Sequence, residues 1–175
     1  VTFGRIAIVT KEILRLTDLP NIDEIDMKLL ALLQKDARQS NKDLAAEVGI
    51  AQSTCLERIR RLKESGVILG WHAEVDLAAI GRPIRAMVSV RLQPKTTKSV
   101  RDFQRDVIEA PETLAVSMVS GDDDFIIEIA AADIDALREY FLTHIAGRRD
   151  VADTSTSIIF EQTRVLPLRS LESTR

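Results

Sequence analysis

Two spacings of apolar residues divide this chain. Between Pro20 and Gly66 the apolar positions recur three and four apart, which is the period of a helix face. Beyond Gly66 they recur mainly two apart, the period of a strand. Ile25, Leu29, Leu32 and Leu33 predict a first helix that opens after Pro20-Asn21 and fades after Ala37, with Asn21 as N-cap and Glu24 as its capping-box partner. Ser40-Asn41-Lys42-Asp43 is a second start signal, a hydroxyl followed by a carboxylate three residues on. Leu44, Ala45 and Val48 then give a short helix its apolar face, and Gly49 stands where a helix ends in a left-handed residue. A third helix follows from Gln52 to Glu64, and Gly66 stops it.

Val67-Ile68-Leu69 and Trp71 to Val75 predict short strands around Gly70, and Ala78 to Pro83 a connector. Ile84, Ala86, Val88, Val90 and Leu92 alternate along a strand. Val100, Phe103, Val107 and Ile108 make an amphipathic helix that runs to Pro111. Leu114, Val116, Met118 and Ser120 alternate again, and Gly121-Asp122-Asp123 turns the chain into a strand from Phe125 to Ala130. Asp133 caps a helix bearing Ile134, Leu137, Phe141 and Ile145, which ends at Gly147; Val151 to Glu161 is the last strand. Strand, helix, strand, strand, helix, strand is the ferredoxin-like βαββαβ order. The expected class is therefore α+β. Three helices followed by the short strands cover 21–76, a linker 77–83 and a ferredoxin-like domain 84–163. A tail follows at 164–175, and an extension at 1–20 carries a short helix (Glu12 to Leu16) or a strand.

Composition narrows the function classes. The chain has 175 residues, 45% apolar and 29% charged, which suits one large or two small soluble domains. A net charge of −3 does not advertise a nucleic-acid binder, but total charge says little about a local patch. Cys55 is the single cysteine, so an intrachain disulfide is excluded and a cysteine zinc site is disfavoured; both fit a reducing, cytoplasmic setting. Cys55 reads as a small buried apolar residue. No apolar run approaches the roughly 18–20 residues of a membrane span, and Ile6-Ala7-Ile8-Val9 is too short for a signal-peptide core. The two histidines, His72 and His144, lie in different halves without metal-ligand spacing, and neither a glycine-rich phosphate loop nor a nucleophile elbow occurs. No catalytic residue, metal site or cofactor is expected.

The third helix carries the clearest chemistry. Cys55, Ile59 and Leu62, with Leu56 beside them, form its expected buried face. Thr54, Arg58 and Arg61 share that spacing on the other side, with Glu57 among them, and Gln52 and Ser53 sit at the N-terminal tip. Arg58, Arg60, Arg61 and Lys63 are the densest basic cluster in the chain. Two helices joined by a glycine turn are the helix-turn-helix unit, whose second helix enters the major groove tip first. The expected DNA-contacting residues are Gln52, Ser53, Thr54, Glu57, Arg58, Arg61 and Lys63. A solvated helix face would show the same basic residues, and a polar hairpin would show the same aspartates at 122–124.

The chain resembles the Lrp/AsnC family, the leucine-responsive or feast/famine regulators. The resemblance rests on Ile22-Asp23-Glu24-Ile25-Asp26 with Leu29 to Leu33, on Asp36-Ala37-Arg38, on Leu44 to Ile50, and on Cys55-Leu56-Glu57-Arg58-Ile59-Arg60-Arg61-Leu62 with Glu64 to Ile68. In the second half, Ala86 to Val90, Val119 to Phe125 and Thr154-Ser155-Thr156 before Ile158-Ile159 match as well, so it covers about residues 21–168. The resemblance implies a transcriptional regulator that binds double-stranded DNA through a winged helix-turn-helix at 21–76, with a C-terminal domain that binds a free amino acid and dimerises, the dimers assembling into an octamer or similar ring. It places the effector at Ser120, Gly121, Asp122 and Asp124, with Thr154 and Thr156 nearby on the last strand. A carboxylate can receive an ammonium group there, and turn N–H groups a carboxylate. Ala51 and Thr54 stand where the family often has serine and proline, and Phe125 where it often has tyrosine. Two rivals remain open at this point: an amino-acid-sensing oligomeric module without DNA binding, and an enzyme on a ferredoxin-like domain.

Overall fold

The computed structural model describes residues 20–168. The expected helix or strand at 12–16 lies outside them. Among the described residues the chain forms two units, one of residues 20–73 with 164–168 and the other Glu74–Thr163.

The first unit is three helices, α1 (Glu24–Lys35), α2 (Asn41–Val48) and α3 (Gln52–Glu64). The N-cap of α1 is Asp23 and its capping-box partner Asp26, in place of the expected Asn21 and Glu24. The shift of two residues follows from the side chains available: Asp23 Oδ1 accepts the Asp26 N–H at 2.8 Å, and Asp26 Oδ2 accepts the Asp23 N–H at 3.3 Å. Helix α1 ends at Lys35, two residues before the expected fade. Ser40 caps α2 as expected, accepting the Asp43 N–H, and Gly49 closes it at φ 73, a conformation that glycine adopts without steric cost. Leu29, Leu44, Cys55 and Leu62 meet at the centre of this small core, and Ile68 closes it. The expected strands at 67–69 and 71–75 do not form; Val67 and Ile68 lie in a bend, their N–H groups donating to the Leu62 carbonyl, and 69–75 has no ladder among the described residues. Val67 and Ile68 pack on the helices, while Leu69 and Trp71 are exposed. A strand needs a hydrogen-bonded neighbour as well as an apolar pattern, and none of the described residues supplies one here.

The second unit follows the expected order: β1 (Ile84–Leu92), α4 (Thr97–Glu109), β2 (Thr113–Met118), β3 (Phe125–Ala131), α5 (Ile134–Phe141) continued by a π-helical turn at Leu142–Ala146, and β4 (Val151–Ile158). The sheet is antiparallel throughout in the order β2-β3-β1-β4. One face carries Ala86, Val88, Val90, Phe125, Ile127 and Ile129, buried against Phe103 and Val107 of α4 and Leu137 and Tyr140 of α5. The Phe103 and Phe125 ring centroids are 4.9 Å apart. The other face, with Met87, Ser89, Ser117 and Ile126, has no helix over it among the described residues.

The expected alternation of β2 is broken at its start. A register shift between Thr113 and Ala115 leaves Leu114 out of the ladder. Thr113 takes the inward place, its hydroxyl donating to the Val107 carbonyl at 2.8 Å and lying 3.0 Å from the Tyr140 hydroxyl. Leu114 is consequently exposed; Val116 packs against the core, and Met118, opposite Phe125 at the end of the strand, lies on that same side but is 68% exposed. A bulge of this kind re-aims side chains that strict alternation would bury.

Candidate nucleic-acid interface and effector turn

Helix α3 is positioned by its inner side, where Cys55 and Leu62 are buried and Ile59 half-buried. Burial pushes the Cys55 thiol up from its ordinary pKa. Leu56 departs from the expected buried face: it is 60% exposed, because at 100° per residue it falls well away from the Cys55–Ile59–Leu62 stripe. Gln52, Ser53, Thr54, Glu57, Arg60 and Lys63 are exposed as well. The outward side of α3 is therefore broader than the expected set and includes two residues left out of it, Leu56 and Arg60. Helical angle is the signal for both, since at about 100° per residue Leu56 and Arg60 each fall off the buried stripe.

The tip of α3 is fixed to the preceding helix. Asn41 Nδ2 donates to the Gln52 carbonyl at 2.8 Å, a contact across eleven residues. The N-cap Ala51 makes no side-chain bond, so this tip carries no capping hydroxyl.

Arg58 stands differently from its expected outward place. Its side chain is 21% exposed, and its Nη1 donates to Asp23 Oδ2 at 2.6 Å and to Asp26 Oδ1 at 2.9 Å. Arg61 Nη2 donates to Asp26 Oδ2 at 2.5 Å, while its side chain stays 53% exposed. The flank of α3 that carries Arg58 and Arg61 thus leans on the start of α1. The Asp26 backbone N–H first, and Arg58 second, hold the Asp23 carboxyl below the usual range. Arg60 bridges Glu57 (2.6 and 3.0 Å) and Glu64 (2.7 Å) on the outer ridge, and Arg60 holds the Glu57 carboxyl low.

In the second unit the turn from β2 to β3 is closed by its main chain. The Val119 N–H donates to the Asp124 carbonyl at 2.9 Å, and Gly121 turns at φ 146, a conformation that favours glycine. Ser120, Gly121 and Asp122 are exposed. Asp124 is not: it is 5% exposed, and its N–H donates to the Val90 carbonyl at 2.8 Å. Its carboxylate accepts the Leu92 N–H at 2.8 Å and pairs with Lys95. Lys95 first, then the Leu92 N–H, hold the Asp124 carboxyl below the usual carboxylate range. Asp124 therefore fastens the turn to the end of β1.

Thr154 and Thr156 lie on β4, opposite Val90 and Val88. Strand β1 separates them from β3, so they stand two strand spacings, about 10 Å, from the strand that leaves the turn. The six expected effector residues thus form two groups, the turn and the outer strand. Beside the turn is an open groove of about 520 Å³ lined by Lys95, Thr96, Thr97, Val100, Arg101, Gln104 and Met118. Lys95 belongs to both the groove and the Asp124 pair. Sequence reading missed this groove because its residues come from a loop, a helix and a strand end.

Among the described residues no cluster of His, Cys, Asp or Glu could hold a metal ion, and no helix is long and apolar enough to cross a membrane. Residues 22–68 match the winged helix-turn-helix DNA-binding family, and residues 85–165 match the Lrp/AsnC ligand binding domain. The chain is 42% identical over 143 residues to the HTH-type transcriptional regulator AldR of Mycobacterium tuberculosis, covering 82% of this chain and 80% of that one. Among solved structures it resembles an AsnC family transcriptional regulator from Agrobacterium tumefaciens, with TM-score 0.76 and 29% identity over 85% of this chain and 97% of that one. It also resembles a transcriptional regulator of Neisseria meningitidis solved as its L-Met complex, with TM-score 0.75 and 23% identity over 83% of this chain and 94% of that one.

Proposed function

The chain belongs to the Lrp/AsnC family of transcriptional regulators, DNA-binding proteins with an effector domain, and from that premise we propose that its DNA contacts and its effector lie at the two places just described. The outward side of α3 enters the major groove. Gln52, Ser53, Thr54 and Glu57 approach base edges, and Lys63 and Arg61 approach phosphates, with Arg58 behind them. The carrying observation is that this side of α3 is exposed while its other side is buried in a helix-turn-helix whose turn and tip are fixed by Gly49 and Asn41. Lysine and arginine contacts to phosphate make such binding salt-dependent, and contacts at the tip make it sequence-dependent.

The effector is a free amino acid held at the turn Ser120–Asp124 and the adjoining groove. The Neisseria relative is a regulator that binds methionine, and the groove here offers cationic Lys95 and Arg101 beside apolar Val100 and Met118. Thr154 and Thr156, which lie apart from the turn in one chain, join the site where copies assemble. The uncovered sheet face with Met87 and Ile126 supports a homodimer, and dimers build the larger ring. An effector shifts DNA binding only through unequal affinity for two assembly states. In this reading the protein is a regulator and not an enzyme, and it works in the cytoplasm.

Titrating a duplex recovered by this protein from a random-sequence library, at several salt concentrations, tests the DNA side. Binding should weaken steeply with salt, and Gln52→Ala with Lys63→Ala should weaken it further; affinity unchanged by that pair overturns the assigned surface. Calorimetry against the common amino acids tests the effector side. Asp122→Ala is the better probe than Asp124→Ala, because Asp124 also anchors β1. Absence of binding heat with every amino acid removes the effector reading.

A further inference from the structure

Asp26 has no exposed side-chain surface, yet both of its carboxylate oxygens are taken by arginines from α3. Oδ1 accepts from Arg58 at 2.9 Å and Oδ2 from Arg61 at 2.5 Å, while Oδ2 also closes the capping box of α1. One carboxylate thus ends one helix and grips two points, one turn apart, on another. Burying an ionic cluster is a poor way to gain stability, since well-packed apolar residues often serve as well or better. What it supplies is direction. An arginine on a solvated helix face samples many rotamers, whereas a guanidinium bonded to a buried carboxylate is held in one. Arg61 commits one N–H to Asp26 in this way and keeps more than half its side-chain surface in solvent.

We propose that Asp26 is a positioning residue for DNA recognition: it sets the angle of α3 through Arg58 and aims the outward donors of Arg61 at a backbone phosphate. The inference rests on the reading that the exposed side of α3 faces DNA. It separates register from attraction. Asp26 contributes a negative charge close to the DNA side, so its net electrostatic effect on a phosphate backbone is repulsive. Neutralising it should strengthen indiscriminate attraction while loosening the geometry that selects one sequence.

Asp26→Asn in the full chain tests this with two probes: the duplex that the wild-type protein selects from a random-sequence library, and unselected random duplex. Circular dichroism confirms that the variant is folded. Affinity for the selected duplex should fall about tenfold, while affinity for random duplex holds or rises with a salt slope at least as steep. Equal losses on both duplexes, or an unchanged selected duplex, overturn the proposal. If the variant does not fold, Arg61→Lys keeps the charge and loses the fork. It should weaken the selected duplex and spare the random one; equal affinities to wild type overturn the proposal. Gln52→Ala distinguishes the two levels. If it binds the selected duplex like wild type, the DNA-facing reading fails and the proposal with it; if it weakens binding while Asp26→Asn does not, the proposal alone fails.

Discussion

The two units of this protein are held together by different means. The sheet unit buries a continuous apolar layer, Val88, Val90, Phe125, Ile127 and Ile129 against Phe103, Val107, Leu137 and Ile145. The helical unit has half as many buried apolar residues among those described, and one of its most buried side chains is Asp26. A domain this small buries a smaller share of its surface and rests more on caps and specific polar bonds. The difference suits their tasks. In the proposed function the sheet unit is a firm frame for assembly, whereas the helical unit presents a few side chains at set angles.

Truncation in the apolar layer should give the largest effect and break the comparison most plainly. Phe103→Ala removes a fully buried ring that touches Phe125 and lies under Arg148, whose guanidinium sits 5.1 Å from the ring centre. It should cost about 3–5 kcal/mol, read as a loss in the denaturation transition of the sheet unit by near-ultraviolet signal from Tyr140. Trp71, the only tryptophan, reports on the other unit and should move less.

Asp124→Asn comes next. It removes the Lys95 partner and weakens the acceptor for the buried Leu92 N–H, at a cost of about 1–3 kcal/mol. Because the Asp124 carboxyl is held low in the folded state, its contribution is fully present above the ordinary aspartate range and is lost as pH falls through the lowered value. The stability gap between wild type and variant should therefore be constant from neutral pH down to that range and close below it, as followed by denaturant titration at each pH.

Ser40→Ala tests how far the helical unit leans on its caps. It should lose about 1 kcal/mol, measured by thermal unfolding followed through Trp71, since Ser40 satisfies the Asp43 N–H at the start of α2. The smallest effect belongs to Lys98→Ala. Its bond to Asp102 is a surface pair one helical turn apart, and its loss should leave the thermal unfolding midpoint within the scatter of replicate melts.

The fold was legible in the sequence wherever a local signal decides the outcome. Ser40, Gly49 and Asp133 each end a helix at the place their side chains or backbone freedom dictate. Strand β1 alternates because one side meets helices and the other does not. Legibility failed where a partner distant in sequence decides. Leu114 follows a strand pattern that the bulge at Thr113 overrides. The apolar run at 67–69 packs on helices and finds no strand to pair with. At the candidate site the tip residues Gln52, Ser53 and Thr54 stand exposed as expected, whereas Arg58 turns to carboxylates more than thirty residues away. Spacing along one helix places a residue on a side; it does not say what the neighbouring helix offers there. The same limit applies to Asp124, whose neighbours in sequence suggest an open acidic turn and whose neighbours in space are Lys95 and the Leu92 amide.

In the proposed function the outward side of α3, from Gln52 to Glu57, reads DNA bases. Selecting duplexes from a random library with the wild-type protein and with Glu57→Gln tests it directly, because Glu57 is exposed and mid-helix on the outer ridge. A carboxylate accepts from a cytosine amino group, and an amide has a different donor pattern. The account predicts that the two selected sequences agree except at one or two base positions in each half-site. The same sequence selected by both proteins with equal affinity would contradict it.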